Sequence, residues 1–478
     1  MLFNSVDFAI FLPIVFVLYW FVVNKNLKHQ NIMLLVASYY FYSVWDSRFM
    51  FLLIFSTLLD YFTGLKMAGA KSKVSKKFWL WLSIGINLGF LGIFKYYDFF
   101  VTSLAEALSM LGLKANFQTL NVILPVGISF YTFHGLSYVI DIYNDKIKPE
   151  KNFVDYAVFV SFFPLLVAGP IERATHLLPQ IQRKRVFNYS QATDGLRQIL
   201  WGLFKKIVIA DSCAVYSNLA FTDSAHHSGS TLLLGVFCFT IQIYCDFSGY
   251  SDIAIGTARL FGIELLRNFA FPFFSRDVSE YWRRWHISLS SWFRDYLYIP
   301  LGGSKGSLWL KVRNVFIIFL VSGFWHGANW TYIVWGGLNA VYVLPSVLFN
   351  TNRKNPDIVA QGKYLPTFKE FLAIAFTFIL TVLGFVVFRA QSLHHAGSYF
   401  SSMFSSSLFQ RPEWFPRLLL AGIAGFMLIE WLGREQQYAI AKLGFRWPLA
   451  ARYVFYYSIM FLIYYFAGAE QEFIYFHF

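Results

Sequence analysis

Uninterrupted apolar runs recur from one end of the chain to the other, among them Phe8 to Val23, Phe78 to Phe94, Trp330 to Leu348, Phe371 to Phe388 and Tyr453 to Phe466. Several approach the ~20 residues a helix needs to cross a bilayer. The runs are continuous and do not alternate, which excludes a transmembrane β-barrel. Only 14% of the residues are charged against 57% hydrophobic; a soluble chain carries about 25% charged residues, so an ordinary soluble enzyme is excluded. The expected fold is an all-α polytopic membrane protein with roughly 11 to 13 membrane segments, some short or broken by Gly and Pro and therefore tilted or re-entrant. No repeat, low-complexity tract or soluble domain stands out, so residues 1–478 are read as one domain. The first run has no basic residues before it and no small-residue cleavage site before Asn24, as expected of a retained first helix.

The formal net charge of +14 is concentrated in connections: Lys25 and Lys28, Lys66 to Lys77, Lys146 to Lys151, and Arg183 to Arg185. Basic loops between apolar segments mark the cytoplasmic side and suit contact with anionic lipid. They form no continuous basic face, so no nucleic-acid partner is expected. With the N-terminus outside, helices near Phe8, Asn31, Phe49, Phe78 and Val122 put the loops at Lys25, Lys71 and Lys146 in the cytoplasm together. A full crossing by Val154 to Gly169 would then strand Lys184 outside. Pro164 and Gly169-Pro170 in that segment predict instead a broken or re-entrant helix, which is tolerated where it is walled by protein. Asp246 to Gly306 mixes aromatics, arginines, serines and glycines, and reads as short tilted helices lining a cleft. The polar stretch Asn350 to Pro366 separates the centre from the C-terminal helices.

Two places carry residues suited to chemistry. His326, in VSGFWHGANW, lies between apolar runs, where an ionisable group is costly unless paired or functional. Its ordinary pKa near ~6.5 suits reversible proton transfer. Gly323 and Gly327 would let a substrate approach the backbone. A buried histidine bonded to a neighbouring helix fits the same facts. The second place is SEYWRRWHISLSSWFRDYLYIPLGG, Ser279 to Gly303. As one helix it would carry an apolar stripe of Trp282, Trp285, Leu289 and Trp292, with Arg283, Arg284, His286 and Ser290 beside or opposite it and Glu280 paired with Arg284. It is either a cationic wall for a phosphate-bearing donor, with His286 near the reaction, or an interfacial amphipathic helix. Asp246, Asp252, Asp141, Glu172 and Arg173 are intramembrane polar groups that suit ion relays or structural pairing. Cys213, Cys238 and Cys245 lack ligand spacing and are expected to be buried thiols, with no metal site. No P-loop, dinucleotide fingerprint, GxSxG elbow or HExxH occurs at a suitable place.

The blocks PVGISFYTFHGLSYVIDIY at Pro125, AGPIER at Ala168, QIYCDFSGYSDIAIG at Gln242, YWRRWHISLSSWFRDYLYIPLGG at Tyr281, SGFWHGANW at Ser322 and the terminal FIYFHF, taken together and in this order, resemble the membrane-bound O-acyltransferases, and within them the alginate O-acetyltransferase branch. His477 departs from the Gln that this branch often carries in its tail. The resemblance implies tilted helices around a central funnel with the family's histidine at the constriction, which matches His326, and a second polar position that matches His286. It further implies acyl transfer from a cytoplasmic thioester, acetyl-CoA or another, with no cofactor bound. His326 would be the general base, and His286, Asn329 or a tryptophan such as Trp325 would supply an oxyanion donor. Arg283, Arg284 and Ser290 would line the donor site. The acceptor would be an exported or cell-surface polysaccharide, reached directly or through an extracytoplasmic acetyltransferase partner, and the protein would be a multi-pass component of the inner membrane. Two other functions stay open: a D-alanyl transferase for teichoic acid, which would share both histidines, and a transporter using the intramembrane acids.

Overall fold

The computed structural model describes every residue except 114–116, Ala168, Ala469, Glu470, Glu472 and 475–478, so the tail histidine His477 lies outside the described residues. The described residues form helices and connections, with no strand among them. Seven helices are long and apolar enough to cross a membrane, from Ser47–Ala68 to Leu449–Phe466, and a shorter apolar helix occupies Val6–Val22. The larger number of membrane segments expected from the sequence includes shorter and broken runs beside these seven. The chain packs as two compact units, Met1–Ala192 with Thr257–Leu266, and Thr193–Gly256 with Arg267–Phe478.

In the first unit, polar residues in the short connections start the helices. The side chains of Asn26, Asp46, Ser72 and Asn152 each accept from a backbone N–H of the first turn that follows, satisfying donors that have no intrahelical partner. The run near Val122 is not helical until Ile128. Pro125 explains the delay, because it disfavours helical backbone at Leu124 and lacks an N–H. Gly127 then turns the chain at φ +73°, in a space where a Cβ would lie 2.2 Å from the carbonyl oxygen of Leu166. The segment after Lys151 is broken, as expected: helices Phe153–Ser161 and Phe163–Leu166 are separated at Phe162, and Pro164 lies in the second. The break is buried, and Ser38 Oγ accepts from the N–H of Phe163 at 3.0 Å.

The basic connections meet at one end of this unit. Lys76 pairs with Asp145 at 2.7 Å, Tyr61 donates to the carbonyl of Lys151 at 2.6 Å, Gln182 donates to Glu150, and Lys25 and Lys184 line one cavity. A crossing between Lys151 and Lys184 would have separated these loops; the broken helix keeps them together.

The second unit departs from expectation in its middle. Asp246 to Leu260 is not a series of short pieces but the second half of the 32-residue helix Gly229–Leu260. Its polar residues obscured this because they are answered inside the protein. Lys205 and Lys206, in the π-helical turn Phe204–Ala210, pair with Asp252 at 2.6 Å and Asp246 at 2.9 Å. From Arg267 onward the elements are indeed short. The three cysteines are buried free thiols.

Candidate functional site

His326 is the last residue of helix Leu308–His326 and is 3% exposed. Its Nδ1 lies 2.6 Å from the carbonyl oxygen of Ser322. A carbonyl oxygen only accepts, so Nδ1 carries a proton, and in the neutral ring the basic lone pair is on Nε2. Aromatic edges and faces enclose the imidazole: ring centroids of Trp325, Trp335 and Phe388 lie at 4.9, 5.1 and 5.7 Å.

The glycines beside it have another use than the one expected. A Cβ on Gly323 would stand 2.2 Å from the carbonyl oxygen of Tyr332, and one on Gly336 would stand 2.2 Å from that of Phe319. A Cβ on Gly327 would meet the Tyr332 ring at 2.2 Å. The space is therefore filled by the next helix, Trp330–Leu348, and not by an approaching substrate.

The tryptophan-rich block is not one helix. Helix Val278–Arg284 ends at Trp285, His286 adopts a left-handed conformation at φ +44°, and a new helix runs over Ile287–Phe293. The continuous stripe through Trp282, Trp285, Leu289 and Trp292 is broken accordingly. A non-glycine residue in this conformation costs roughly 1–2 kcal/mol, and Asn268 supplies what holds it. The Asn268 carbonyl accepts from the N–H of Ile287 at 2.9 Å, its Oδ1 accepts from Ser288 Oγ at 2.6 Å, and its amide donates to Ser251 Oγ at 3.0 Å. The kink takes His286 out of the helix surface. Its ring centroid lies 4.6 Å from that of Phe247 and 5.9 Å from that of Trp325, the residue that also flanks His326. Burial, and then the proximity of His326, hold the His286 imidazole well below its ordinary pKa.

The structure thus brings His326, Trp325 and His286 together. The other predicted site residues have partners of their own. Glu280 does pair with Arg284, at 2.8 Å, and Arg276 joins the same carboxylate at 3.1 Å. Arg284 also donates to the carbonyl of Asp357 at 2.8 Å. Arg283 donates to the carbonyls of Asn352 and Asn355. Both arginines are therefore tied to the polar connection after residue 350. Asn329 caps helix Trp330–Leu348 with its Oδ1 and donates its amide to the carbonyl of Gln391 at 3.0 Å. Ser290 Oγ lies 3.4 Å from the carbonyl of Trp285.

The intramembrane acids are engaged in pairs of a structural kind. Lys206 bridges Asp246 and Asp211, Gln198 donates to Asp252, and in the first unit Glu172 accepts from His176 and from the N–H of Leu266. Asp246 and Asp252 pair with lysines, not with each other. Asn268 and Phe247 were not singled out from sequence, since a lone Asn and a Phe within an apolar run give no local signal; only the fold sets them against His286. Among the described residues no group of His, Cys, Asp and Glu is arranged to hold a metal.

Residues 144–388 match the model of the membrane-bound O-acyltransferase family, and the chain belongs to that family. It is a multi-pass membrane O-acyltransferase, with an acyl donor and a hydroxyl acceptor as its two reactants. The chain is 40% identical over 412 residues to the "Probable alginate O-acetylase AlgI" of Pseudomonas putida, covering 86% of this chain and 81% of that one. It is 36% identical over 425 residues to a peptidoglycan O-acetyltransferase of Helicobacter pylori, covering 83% and 78%. A teichoic acid D-alanyltransferase of Bacillus subtilis is 29% identical over 288 residues, covering 58% of this chain and 71% of that one.

Proposed function

We propose that this enzyme transfers acetyl groups from a cytoplasmic thioester, acetyl-CoA or another, for O-acetylation of an exported or cell-surface polysaccharide, and that it resides in the inner membrane. The observation that carries the chemistry is the contact of His326 Nδ1 with Ser322. It favours the tautomer with the lone pair on Nε2, which supports Nε2 as the base, at the buried end of a membrane-length helix. Nε2 takes the proton of an acceptor hydroxyl as its oxygen attacks the thioester carbonyl. The C–O bond forms, the thiolate leaves, and the proton on His326 is available to it. His286 or the Trp325 indole N–H, both next to His326, would stabilise the oxyanion. Asn329 and Ser290 are less suited, because their donors already meet backbone carbonyls.

The acetyl and polysaccharide assignment rests on relatives that match most of the chain. The D-alanyl relative matches a smaller share at lower identity, so D-alanyl transfer is the second reading. The acceptor hydroxyl belongs either to the polymer or to an extracytoplasmic acetyltransferase that completes the transfer. The test is purified protein in nanodiscs with acetyl-labelled acetyl-CoA and an acceptor oligosaccharide, alone and with the periplasmic fraction. Labelled polymer from the parent and none from His326→Ala is expected. Transfer of D-alanine from a carrier protein with no acetyl transfer would overturn it.

A further inference from the structure

Where the first helix meets its loop, the first unit holds a cavity of about 410 Å³, lined by Phe16, Trp20, Phe21, Lys25, Lys184 and Phe187 with three neighbours. Its volume falls in the range of about 300–1,000 Å³ usual for ligand sites. We propose that it binds one anionic phospholipid, with the phosphate between Lys25 and Lys184 and an acyl chain along the rings.

The two ends of the cavity differ in chemistry. At the polar end, Arg185 is already committed: it donates to Asn31 and to the carbonyl of Ile181, and its guanidinium lies 5.6 Å from the centroid of the Tyr19 ring. Lys25 and Lys184 are exposed, and neither is paired with an acid among the described residues. No acidic residue lines the cavity, so two lysines from segments about 160 residues apart in sequence line it with no carboxylate beside them. At the other end the trough is aromatic. Phe187 packs edge-on against Phe16 and Trp20, at 6.0 and 5.5 Å between centroids.

Trp20 and its neighbour Tyr19 are anchored to backbone carbonyls. Trp20 Nε1 donates to the carbonyl of Leu260 at 2.9 Å, and Tyr19 donates to that of Phe261 at 3.1 Å. Phe21 and Val186 are each 75% exposed, which marks a wall open sideways to apolar surroundings and not a closed tunnel for a soluble donor. Aromatic residues at a helix end beside lysines sit at the depth where headgroup gives way to acyl chain. A zwitterionic headgroup would bring its own cation to the two lysines, so the charge selects an anionic one.

The test uses the full-length protein in detergent micelles doped with phosphatidylglycerol, with phosphatidylcholine of the same chains, or with free coenzyme A. Phosphatidylglycerol should raise the melting temperature and remain as a single adduct in native mass spectra, and phosphatidylcholine should do neither. Lys25→Gln with Lys184→Gln should weaken retention about 10- to 30-fold, and Lys→Arg at both should restore it. Brominated phosphatidylglycerol should quench the parent more than Trp20→Phe, a comparison that needs no charge variant to fold. Equal effects of the two lipids, retention indifferent to the lysines, or quenching unchanged in Trp20→Phe would overturn the proposal. Stabilisation by coenzyme A alone, lost with the lysines, would assign the cavity to a soluble phosphate instead.

Discussion

His326 is bonded through Nδ1 to the carbonyl oxygen of Ser322, one helical turn earlier and 2.6 Å away. The backbone of its own helix thus helps to orient the imidazole, together with the rings of Trp325, Trp335 and Phe388. His326→Ala is expected to abolish acyl transfer with near-normal abundance in the membrane, because Ser322 loses only one acceptor contact. His326→Gln should be equally inactive, since an amide cannot relay the proton. Polysaccharide acetyl content against immunoblotted protein decides the matter, and acetylation equal to the parent would remove His326 from catalysis.

His286 sits one aromatic ring from His326. If it donates to the oxyanion, His286→Ala lowers turnover by about 10² to 10³ with a smaller change in KM. Steady-state kinetics on purified protein, corrected for folded fraction, measure this. Unchanged turnover would leave His286 a packing residue.

The same residue gives a pH dependence of stability. Its folded pKa lies below the unfolded value, so below about 6.5 the unfolded chain binds a proton that the folded one resists. Stability present above that pH is lost as the pH falls. His286→Gln should therefore show a smaller drop in melting temperature between pH 7.5 and pH 5 than the parent does. An identical drop in both would assign the acid sensitivity elsewhere.

Asn268 is expected to act as a positioning residue. Asn268→Ala keeps the backbone contact to Ile287 but removes the side-chain contacts to Ser288 and Ser251; by loosening the kink at His286 it should lower kcat by about 10- to 100-fold while shifting the melting temperature only modestly. Ser251→Ala, which removes one of the three contacts, should do less. If both variants lose stability and keep their kcat per folded molecule, the network is structural only.

Arg283 and Arg284 hold the connection after residue 350. Glu280→Ala would leave Arg276 and Arg284 without their shared, nearly inaccessible carboxylate, while Arg276 keeps Asp357 and Arg284 keeps the Asp357 carbonyl, and is expected to destabilise by about 1–3 kcal/mol. Arg283→Ala should change KM for the donor little. A raised KM with intact stability would place Arg283 in the donor site.

The basic loops were legible in the sequence because charge counts and helix parity are one-dimensional, and Pro164 announced the broken helix. The burial of His326 was legible from its setting between apolar runs. The kink at His286 was not, because the 3, 4, 3 spacing of Trp282, Trp285, Leu289 and Trp292 satisfies a continuous helix, and what prevents one is Asn268, distant in the periodic pattern. The long helix through Asp246 and Asp252 was hidden for a related reason: its acids read as interruptions until Lys205 and Lys206 are placed against them.

Helix Leu308–His326 and the helix after it touch through Gly323 and Gly336, where even a methyl group would strike a carbonyl oxygen. Two helices joined without clearance behave as one stiff beam, and His326 stands at the end of it. Such a beam has no slack with which to carry a base toward its reactants. On the role proposed for His326, donor and acceptor would both be delivered to a stationary imidazole, and differences between acceptors would fall to the walls of their approach. On that role, one unmoving base would suit acceptors as different as those for which the alginate and peptidoglycan relatives are named.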